Sequence, residues 1–396
     1  MAAPVFSSYS WDNWEDEVEI FDRMQYLRGV PVYRDRSEMR WGEGLEAQLL
    51  EAMLERCSGY SLYATEQALQ SHFVTRIELP AMHRRRLADR GFFAGAVFRD
   101  FDPPTGGASI HAASGVSIAT ALGNSFEYSK PLEPQFATAA TQILRAYLRS
   151  QWKGGPATAR LETRNGIPNA DPNLLHLIWS PPLAHDADTY DGASWEGQIL
   201  PALAELRSEL EWAVAENDDR EQTLQVSGGA HLSAALALGY EFRESTHWAL
   251  ALETHGQQWK TGRERDVCGW ETRIEPGLGS GTELVVCVNV SRDVCDAVRE
   301  HRRLAGPARA ELHLRHPDGP GRDSLAPGDG SAVAAALAYA ISGAVNTFEI
   351  VETHLFLACP WPFAALLGWH LARSGPLVSH ELALDGRSYR PACRLT

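Results

Sequence analysis

The strongest constraint on the fold is an alternation of short apolar runs with longer amphipathic stretches over residues 4 to 150. Alternating strands and helices of this kind form a parallel sheet with helices packed on its faces. The pattern predicts strands at 5–9, 30–33, 61–64 and 93–98, and helices at 14–28, 45–57, 79–90 and 134–152. Residues 102 to 131 are rich in Gly, Ser and Ala and carry no clear pattern. Residues 1–152 are therefore predicted to form one α/β domain.

The same alternation resumes after a break at 153–156, where Gly and Pro indicate the end of a helix and a linker. Strands are predicted at 175–179, 224–226, 248–253, 284–289, 310–314 and 354–358. Segment 224–239 runs from a strand through a tight loop into an Ala-rich helix closed by Gly, and segment 355–368 repeats that order. This repeat predicts two fused Rossmann-like lobes, at about 157–300 and 301–396, although chance resemblance between Ala- and Leu-rich helices is an alternative.

Length and charge restrict the class of protein further. A chain of 396 residues is too long for one typical core, so several domains are expected. The net charge of −15 and the lack of clustered cations argue against a long nucleic acid as partner, although helix starts can still hold a small anion. No signal peptide or membrane-spanning run is apparent, which favours a cytoplasmic protein without a membrane partner.

The cysteines give no sign of a disulfide framework or a metal centre. Among the six cysteines no two are spaced as a CxxC pair, and most lie inside apolar runs. They are Cys57, Cys268, Cys287, Cys295, Cys359 and Cys393. We therefore expect buried, reduced thiols and predict no metal site.

One carboxylate, Glu78, is the candidate catalytic residue. The layout places it just past the carboxyl end of a buried parallel strand, where open α/β sheets bind ligands. The alternative is a surface carboxylate at a helix start, which the helix dipole stabilises only modestly. Ser10 and Trp11, after the first strand, and Arg36 and Trp41, in the loop after the second, are candidate substrate-binding residues.

Residues 5 to about 150 resemble a TIR domain. The resemblance rests on three segments in this order: Phe6-Ser7-Ser8-Tyr9-Ser10-Trp11-Asp12, Gly29-Val30-Pro31-Val32-Tyr33, and Ser71 to Glu78. The family usually has an aromatic residue four positions before its glutamate, whereas here Phe73 lies five before and Val74 four before. The resemblance implies a flavodoxin-like parallel sheet, NAD⁺ as substrate rather than cofactor, catalysis by Glu78, and a loop that packs on the next subunit.

Cleavage of the nicotinamide–ribose bond suits a site with one carboxylate. Most glycosidases need a second carboxyl group to protonate the leaving group. Nicotinamide leaves NAD⁺ as a neutral molecule, so Glu78 would need only to hold the ribose hydroxyls and stabilise the oxocarbenium charge. Trp11 would stack on nicotinamide or adenine and Arg36 would pair with the pyrophosphate. Ordinary packing for Trp11 and a solvated side chain for Arg36 remain alternatives.

Residues 157 to 396 resemble a SAVED domain, the pair of CARF-like lobes found in bacterial antiphage effectors of the CBASS type. The resemblance rests on segment 227–235, on Trp259-Lys260, and on segment 355–368 with the tail Arg387-Ser388-Tyr389-Arg390. It implies a cyclic oligonucleotide ligand, commonly a trinucleotide such as cyclic tri-AMP. The candidate ligand-binding residues are Ser227, Gly228, Gly229, His231, Trp259, Lys260, Trp361, Arg387 and Tyr389.

Glycines let phosphates approach the backbone closely, and aromatic rings stack on bases. For the Gly-Gly turn and for His231, a purely structural role is the alternative. Together the two resemblances imply a TIR–SAVED effector of antiphage defence. The cyclic oligonucleotide would drive a homo-oligomer or filament that cleaves NAD⁺. Two other functions stay open: a non-catalytic TIR scaffold assembled by the ligand, and a cyclase that makes a cyclic ADP-ribose signal.

Overall fold

The structure, a computed structural model, describes residues 3–10, 15–34, 44–99, 101–116, 124–125, 130–163, 173–179, 195–262, 269–277, 281–316, 318–321, 325–371, 375–382 and 388–396. The chain divides into two compact units. The N-terminal unit contains residues 1–159, 168–178 and 205–221, and the C-terminal unit contains residues 160–167, 179–204 and 222–396.

The N-terminal unit is built on a five-stranded sheet with the order β2-β1-β3-β4-β5, and its strands pair in parallel. Its elements are β1 (Val5–Ser8), α1 (Glu15–Leu27), β2 (Val32–Arg34), α2 (Leu45–Glu51), β3 (Gly59–Ala64), α3 (Glu66–Gln70), α4 (Leu79–Ala88), β4 (Phe93–Phe98), α5 (Pro103–Ser114), β5 (Asn124–Ser125) and α6 (Leu132–Gln151). The predicted parallel α/β architecture is confirmed. The unassigned stretch 102–131 contains α5 and β5.

Burial explains these elements. All six residues of β3 are buried, as expected for a strand with helices on both faces of its sheet. Phe6 stacks between Tyr33 and Tyr60, with ring centroids 5.6 and 6.0 Å away. In α6 the buried positions recur every three or four residues, which gives the helix one apolar face for the core.

The helix ends before residues 153–156, as predicted, but these residues do not form a linker. After α6 the chain enters β6 (Gly155–Glu162) with only residues 152–154 between. Gly155 has a φ of 68°, a left-handed conformation that glycine adopts without strain, and its N–H donates to the Asp219 carbonyl at 2.7 Å. The glycines therefore make a tight corner here.

The remaining elements are the strands of two further sheets and the helices that alternate with them along the chain. They are β7 (Leu175–Ile178), α7 (Leu200–Glu216), β8 (Arg220–Gly229), α8 (Leu232–Glu241), β9 (Ala249–Thr254), β10 (Gln257–Lys260), β11 (Glu271–Pro276), β12 (Glu283–Asn289), α9 (Cys295–Ala305), β13 (Ala310–Arg315), α10 (Gly330–Phe348), β14 (Glu352–Ala358), α11 (Trp361–His370), β15 (Leu377–Leu382) and β16 (Tyr389–Leu395). The second sheet has the order β10-β9-β8-β6-β7, and the third has the order β11-β13-β12-β14-β15-β16.

These strand orders confirm the predicted duplication. From β10 to β7 the second sheet repeats the order from β16 to β13, and β11 is an addition at the edge. In each repeat a parallel pair, β8–β9 or β14–β15, is followed by an antiparallel pair, β9–β10 or β15–β16. The change of sheet falls between Lys260 and Glu271 rather than near residue 300, because β12 and β13 pair within one sheet.

The helices of the two repeats meet through glycines. A Cβ atom on Gly239 of α8 would lie 1.8 Å from the carbonyl oxygen of Ala365, and one on Gly368 of α11 would lie 2.2 Å from that of Leu236. Each glycine thus faces the residue three positions before the other glycine. Such reciprocal contacts are the mark of two-fold related halves.

One helix among the described residues, α10, is long and apolar enough to cross a membrane by length and composition alone. Sequence analysis missed this run. In the structure 44% of its apolar window is buried, and the helix packs against α11 and β13 in the core of the C-terminal unit. A helix in the core of a folded domain can have the same length and composition.

Candidate functional site

The N-terminal unit has a cleft of about 320 Å³ beside the carboxyl end of β1. This volume is within the range of small-molecule sites. Its lining residues are Tyr9, Ser10, Leu45, Leu49, Gln67, Gln70, Ser71, Phe73, Val74 and Glu78. Two predicted residues, Ser10 and Glu78, thus line the same cleft. Trp11, Arg36 and Trp41 lie outside the described residues.

Glu78 is buried in a helical segment. Thr65 caps α3 by accepting the N–H of Ala68 at 3.0 Å, and after α3 the chain makes a π-helical turn, Phe73–Glu78, that leads directly into α4. The sequence analysis predicted Glu78 just past the end of a strand, whereas in the structure it lies within helical backbone. With 4% of its surface exposed, it is not a surface carboxylate either. It reaches the carboxyl end of β1 from the helical side.

The π-helical turn explains the unusual spacing of the aromatic residue. Hydrogen bonds in such a turn skip one residue more than in an α-helix, as between the N–H of Leu79 and the carbonyl of Val74. The turn accommodates one extra residue, so Phe73 lines the cleft together with Glu78 although five positions separate them. Single π-helical turns occur frequently at functional sites.

A chain of hydroxyl groups orients the carboxylate. Ser8 donates from Oγ to Oε2 of Glu78, and Tyr60 donates from its hydroxyl to Ser8 Oγ at 2.9 Å. Burial and the nearby charge of Glu78 raise the pKa of Tyr60 well above its usual value, so its proton stays in place. A fixed carboxylate in a cleft can accept hydrogen bonds from sugar hydroxyls and stabilise an adjacent positive charge.

Sequence reasoning missed most of the polar lining of this cleft. Gln67, Gln70 and Ser71 lie in or next to α3, and their side chains offer amide and hydroxyl groups. Their signal was present in the polar segment 65–71, where Thr65 begins a short helix. It was missed because the predicted pattern contained no helix between β3 and α4.

The C-terminal unit has a second cleft, of about 460 Å³. It is lined by Arg160, Glu162, Ser227, Gly228, Gly229, Ala230, Glu253, Thr254, His255 and Trp361. Most of these residues lie at the carboxyl ends of β6, β8 and β9. The strand order of the second sheet reverses between β6 and β8, and such switch points are where open α/β sheets bind ligands.

Glycine allows β8 to pass close to β6 at this cleft. Gly228 has a φ of 112°, and a Cβ atom on it would lie 2.3 Å from the carbonyl oxygen of Leu161. Ser227, Gly228 and Gly229 are the last residues of β8 rather than the predicted loop before a helix. Their backbone still borders the cleft, because the strand ends there.

Trp361 brings the second repeat to this cleft. It is the first residue of α11, between Pro360 and Pro362, and 9% of its surface is exposed. Its indole nitrogen is buried and has no hydrogen-bond partner among the described residues. A buried donor without an acceptor costs stability, which a ligand acceptor would restore.

A known protein family matches most of the chain that forms this cleft. Residues 206–395 match the family described as "SMODS-associated and fused to various effectors sensor domain", abbreviated SAVED. Residues 206–395 are a SAVED domain. Most of the second cleft, from Ser227 to Trp361, belongs to this domain, and Arg160 and Glu162 join it from outside the matched range.

Solved structures resemble the chain only distantly. A SAVED/CARF-domain containing receptor, Cap4 of Acinetobacter baumannii, with the cyclic trinucleotide 3'3'3'-cAAA, is 14% identical, with a TM-score of 0.49 over 96% of this chain and 98% of that chain. Cap4 of Moraxella osloensis is 16% identical, with a TM-score of 0.44 over 99% of this chain and 88% of that chain. No curated protein matches the chain.

Two aromatic residues predicted to bind ligand are instead core residues of the SAVED domain. Trp259 is 2% exposed and packs on Gly330, where a Cβ atom would come within 2.6 Å of its ring. Tyr389 is 4% exposed and packs edge-on against Phe356, with centroids 5.0 Å apart. Neither ring offers a face for a base, so these two predictions are corrected.

Of the other predicted ligand residues of the SAVED domain, neither His231 nor Lys260 lines the second cleft. His231 precedes α8, and its backbone N–H donates to Thr163 Oγ1 at 2.8 Å while its Nδ1 lies 2.8 Å from the same oxygen. This geometry supports the structural alternative. Lys260 is exposed on β10 and does not line the cleft. Arg387 lies outside the described residues.

Sequence reasoning missed six lining residues of the second cleft, one of which is Ala230, next to the predicted Gly229. Arg160 and Glu162, which form an ion pair of 2.7 Å, were missed because the glycines before β6 suggested a linker. Glu253, Thr254 and His255 lie where β9 turns into β10. The turn, His255-Gly256, has positive φ at both residues, as in a two-residue hairpin loop, and its glycine was the available signal.

Proposed function

We propose that the SAVED domain binds a cyclic oligonucleotide in the second cleft. The observation that carries this proposal is Trp361, which lines a cleft bordered by Gly228 and Gly229 and whose buried indole N–H has no partner among the described residues. Phosphate oxygens can approach glycine N–H groups closely, and a ring nitrogen or phosphate oxygen would accept the indole proton.

The charges in this cleft fit a nucleotide rather than a simple anion. Arg160 can pair with a phosphate, since its guanidinium has several donors and is partly exposed. Glu253 would repel phosphate, but its carboxylate can accept from an adenine amino group or a ribose hydroxyl. A ligand with phosphates, sugars and bases uses both kinds of group.

Binding of 3'3'3'-cAAA by the purified full chain tests the proposal, with linear and cyclic di- and tetranucleotides for comparison. Trp361→Phe removes one donor and should weaken binding about 2- to 10-fold, the effect of one hydrogen bond. Trp259→Phe is the matched control, because its indole nitrogen is also buried and unpartnered among the described residues but lies away from the cleft. Equal affinities for both variants and wild type would refute the placement.

We further propose that the N-terminal unit is a TIR domain that cleaves NAD⁺ to nicotinamide and ADP-ribose. The observation that supports this is the buried carboxylate of Glu78, held by Ser8 beside a cleft with Ser10 at its edge. Glu78 would bind the ribose hydroxyls and stabilise the oxocarbenium charge as neutral nicotinamide departs. Phe73, 39% exposed in the same cleft, offers a ring for stacking on nicotinamide or adenine.

Nicotinamide release from NAD⁺ tests this second part. Glu78→Gln keeps the size of the side chain and should abolish release. Glu55→Gln, in the exposed part of the same unit, should leave it unchanged. Continued release by the Glu78→Gln variant would refute the assignment. Analysis of the second product distinguishes ADP-ribose from a cyclic ADP-ribose signal.

The two activities would be linked through assembly. A ligand that bridges subunits favours the assembled state, and activity confined to that state then requires the ligand. We expect nicotinamide release and particle size to rise together when the cyclic oligonucleotide is added. Assembly without release in wild type would favour the non-catalytic scaffold, and release without any messenger would refute the gating.

A further inference from the structure

Three metal-binding side chains converge in the third sheet, away from both clefts. Cys287 lies in β12, His313 in the adjacent strand β13, and Cys295 is the first residue of α9. Cys287 and His313 are register partners in this parallel pair. The two sulfur atoms and a ring nitrogen all lie within 4.8 Å of one another.

Local hydrogen bonds hold Cys295 in this position. The side chain of Asn289, at the end of β12, accepts the N–H of Val294 at 2.9 Å, and the side chain of Asp293 accepts the N–H of Cys295 at 2.8 Å. The turn from β12 into α9 is therefore fixed. It returns the thiol to the strand from which the chain has just emerged.

The distances suit a tetrahedral ion. Cys295 Sγ and His313 Nδ1 are 3.5 Å apart. In a zinc site with bonds of about 2.3 Å to sulfur and about 2.0 Å to nitrogen, these two ligand atoms lie about 3.5 Å apart. Thiolate and imidazole together are ligands that select zinc over magnesium or calcium.

The surroundings support the same role. His313 Nε2 lies 3.5 Å from Oε2 of Glu311, so the carboxylate can hold the ring proton there and leave Nδ1 for a metal. Arg315 donates from Nη2 to Cys295 Sγ at 3.7 Å, an interaction that stabilises a metal-bound thiolate. Cys287 and His313 are buried, while Cys295 is partly exposed and gives an ion access.

We propose that Cys287, Cys295 and His313 bind Zn²⁺ and leave a fourth coordination position for water. This inference replaces the expectation that all the cysteines are inert buried thiols. It is independent of the proposed nucleotide and NAD⁺ chemistry, because none of the three residues lines either cleft.

Cobalt substitution tests the site directly. The full chain, stripped of metal under reducing conditions, is titrated with Co²⁺, whose spectrum reports tetrahedral thiolate ligands. We expect one equivalent to bind, with sulfur-to-cobalt charge-transfer bands that disappear when Zn²⁺ is added. The bands should be lost in Cys295→Ser and His313→Asn, and Glu311→Gln should weaken binding roughly 10-fold or more.

Cys393→Ser is the matched control, because Cys393 is a buried free cysteine in β16. It should keep the cobalt spectrum. A second measurement uses the wild-type chain alone: Zn²⁺ should protect Cys295 from alkylation by iodoacetamide. Absence of cobalt bands in wild type, retention of the bands in Cys295→Ser, or unprotected alkylation would each overturn the proposal. A Cys287–Cys295 disulfide whose reduction restores no metal binding would also overturn it, in favour of a redox pair.

Discussion

Alanine at two helical glycines should have opposite effects on stability. Gly239 of α8 faces the backbone of α11, and its new Cβ atom would lie 1.8 Å from a carbonyl oxygen, where ordinary contact begins at 3.4 Å. The helices would have to separate by about 1.6 Å, because backbone cannot move aside as a flexible side chain can. Overpacking of this kind costs typically 1–3 kcal/mol. Alanine recovers roughly 1 kcal/mol of helix propensity. If overpacking costs about 3 kcal/mol, the upper end of its range, Gly239→Ala should lower the free energy of unfolding by about 2 kcal/mol.

Gly343 of α10 is the matched control. It lies in the middle of a helix, is exposed, and would have no atom within 4 Å of a new Cβ. Gly343→Ala should therefore gain about 0.5–1 kcal/mol from helix propensity alone.

Thermal unfolding followed by circular dichroism measures both effects. In a domain of this size 1 kcal/mol shifts the Tm by about 2–4 °C. We expect Gly239→Ala to lower the Tm by about 4–8 °C and Gly343→Ala to raise it by about 1–4 °C. Shifts of the same sign in both variants would refute the close packing of α8 on α11.

Two further predictions concern the carboxylate and pH. Ser8→Ala removes the donor that orients Glu78, and because a hydrogen bond to a charged group is worth about 1.5–3 kcal/mol, we expect nicotinamide release to slow roughly 10- to 100-fold; an unchanged kcat would contradict this role. Burial lowers the pKa of His301, His354 and His380, the last to about 2, so below pH 6.5 the unfolded chain binds protons at these rings more readily than the folded chain does. The contribution of these rings to stability should be full above pH 6.5 and fall as the pH drops below it, with His380, the most deeply buried of the three, losing up to about 1.4 kcal/mol per pH unit. Urea unfolding at pH 7.0 and 5.5 measures this loss, and an equal dependence in His380→Asn would argue against the contribution of His380.

Strands and helices with strong patterns could be predicted from the sequence. The strand at 93–98 has the predicted bounds, and the strand–helix repeat in 224–239 and 355–368 revealed a duplication that the sheet orders confirm. A repeat can be recognised in sequence because both copies must satisfy the same packing, here a glycine near the end of each helix where the backbones meet.

Burial and local backbone geometry were harder to predict. Trp259 and Tyr389 look like ligand contacts in a polar neighbourhood, but the partners that bury them, such as Gly330 and Phe356, are distant in sequence. The π-helical turn before Glu78 is likewise invisible to an analysis based on α-helical spacing. The cysteine–histidine cluster escaped notice because its ligands are joined by strand register rather than by a short motif.

The duplication in the C-terminal unit has a consequence for recognition. The first repeat ends its strand β8 with Gly228-Gly229, whereas the second ends β14 with Ala358 and continues through Cys359 and Pro360 into Trp361. Two repeats with the same strand order therefore present different chemistry to the same cleft. A ring of identical nucleotides would lose its rotational symmetry on binding, since each corner would meet a different surface.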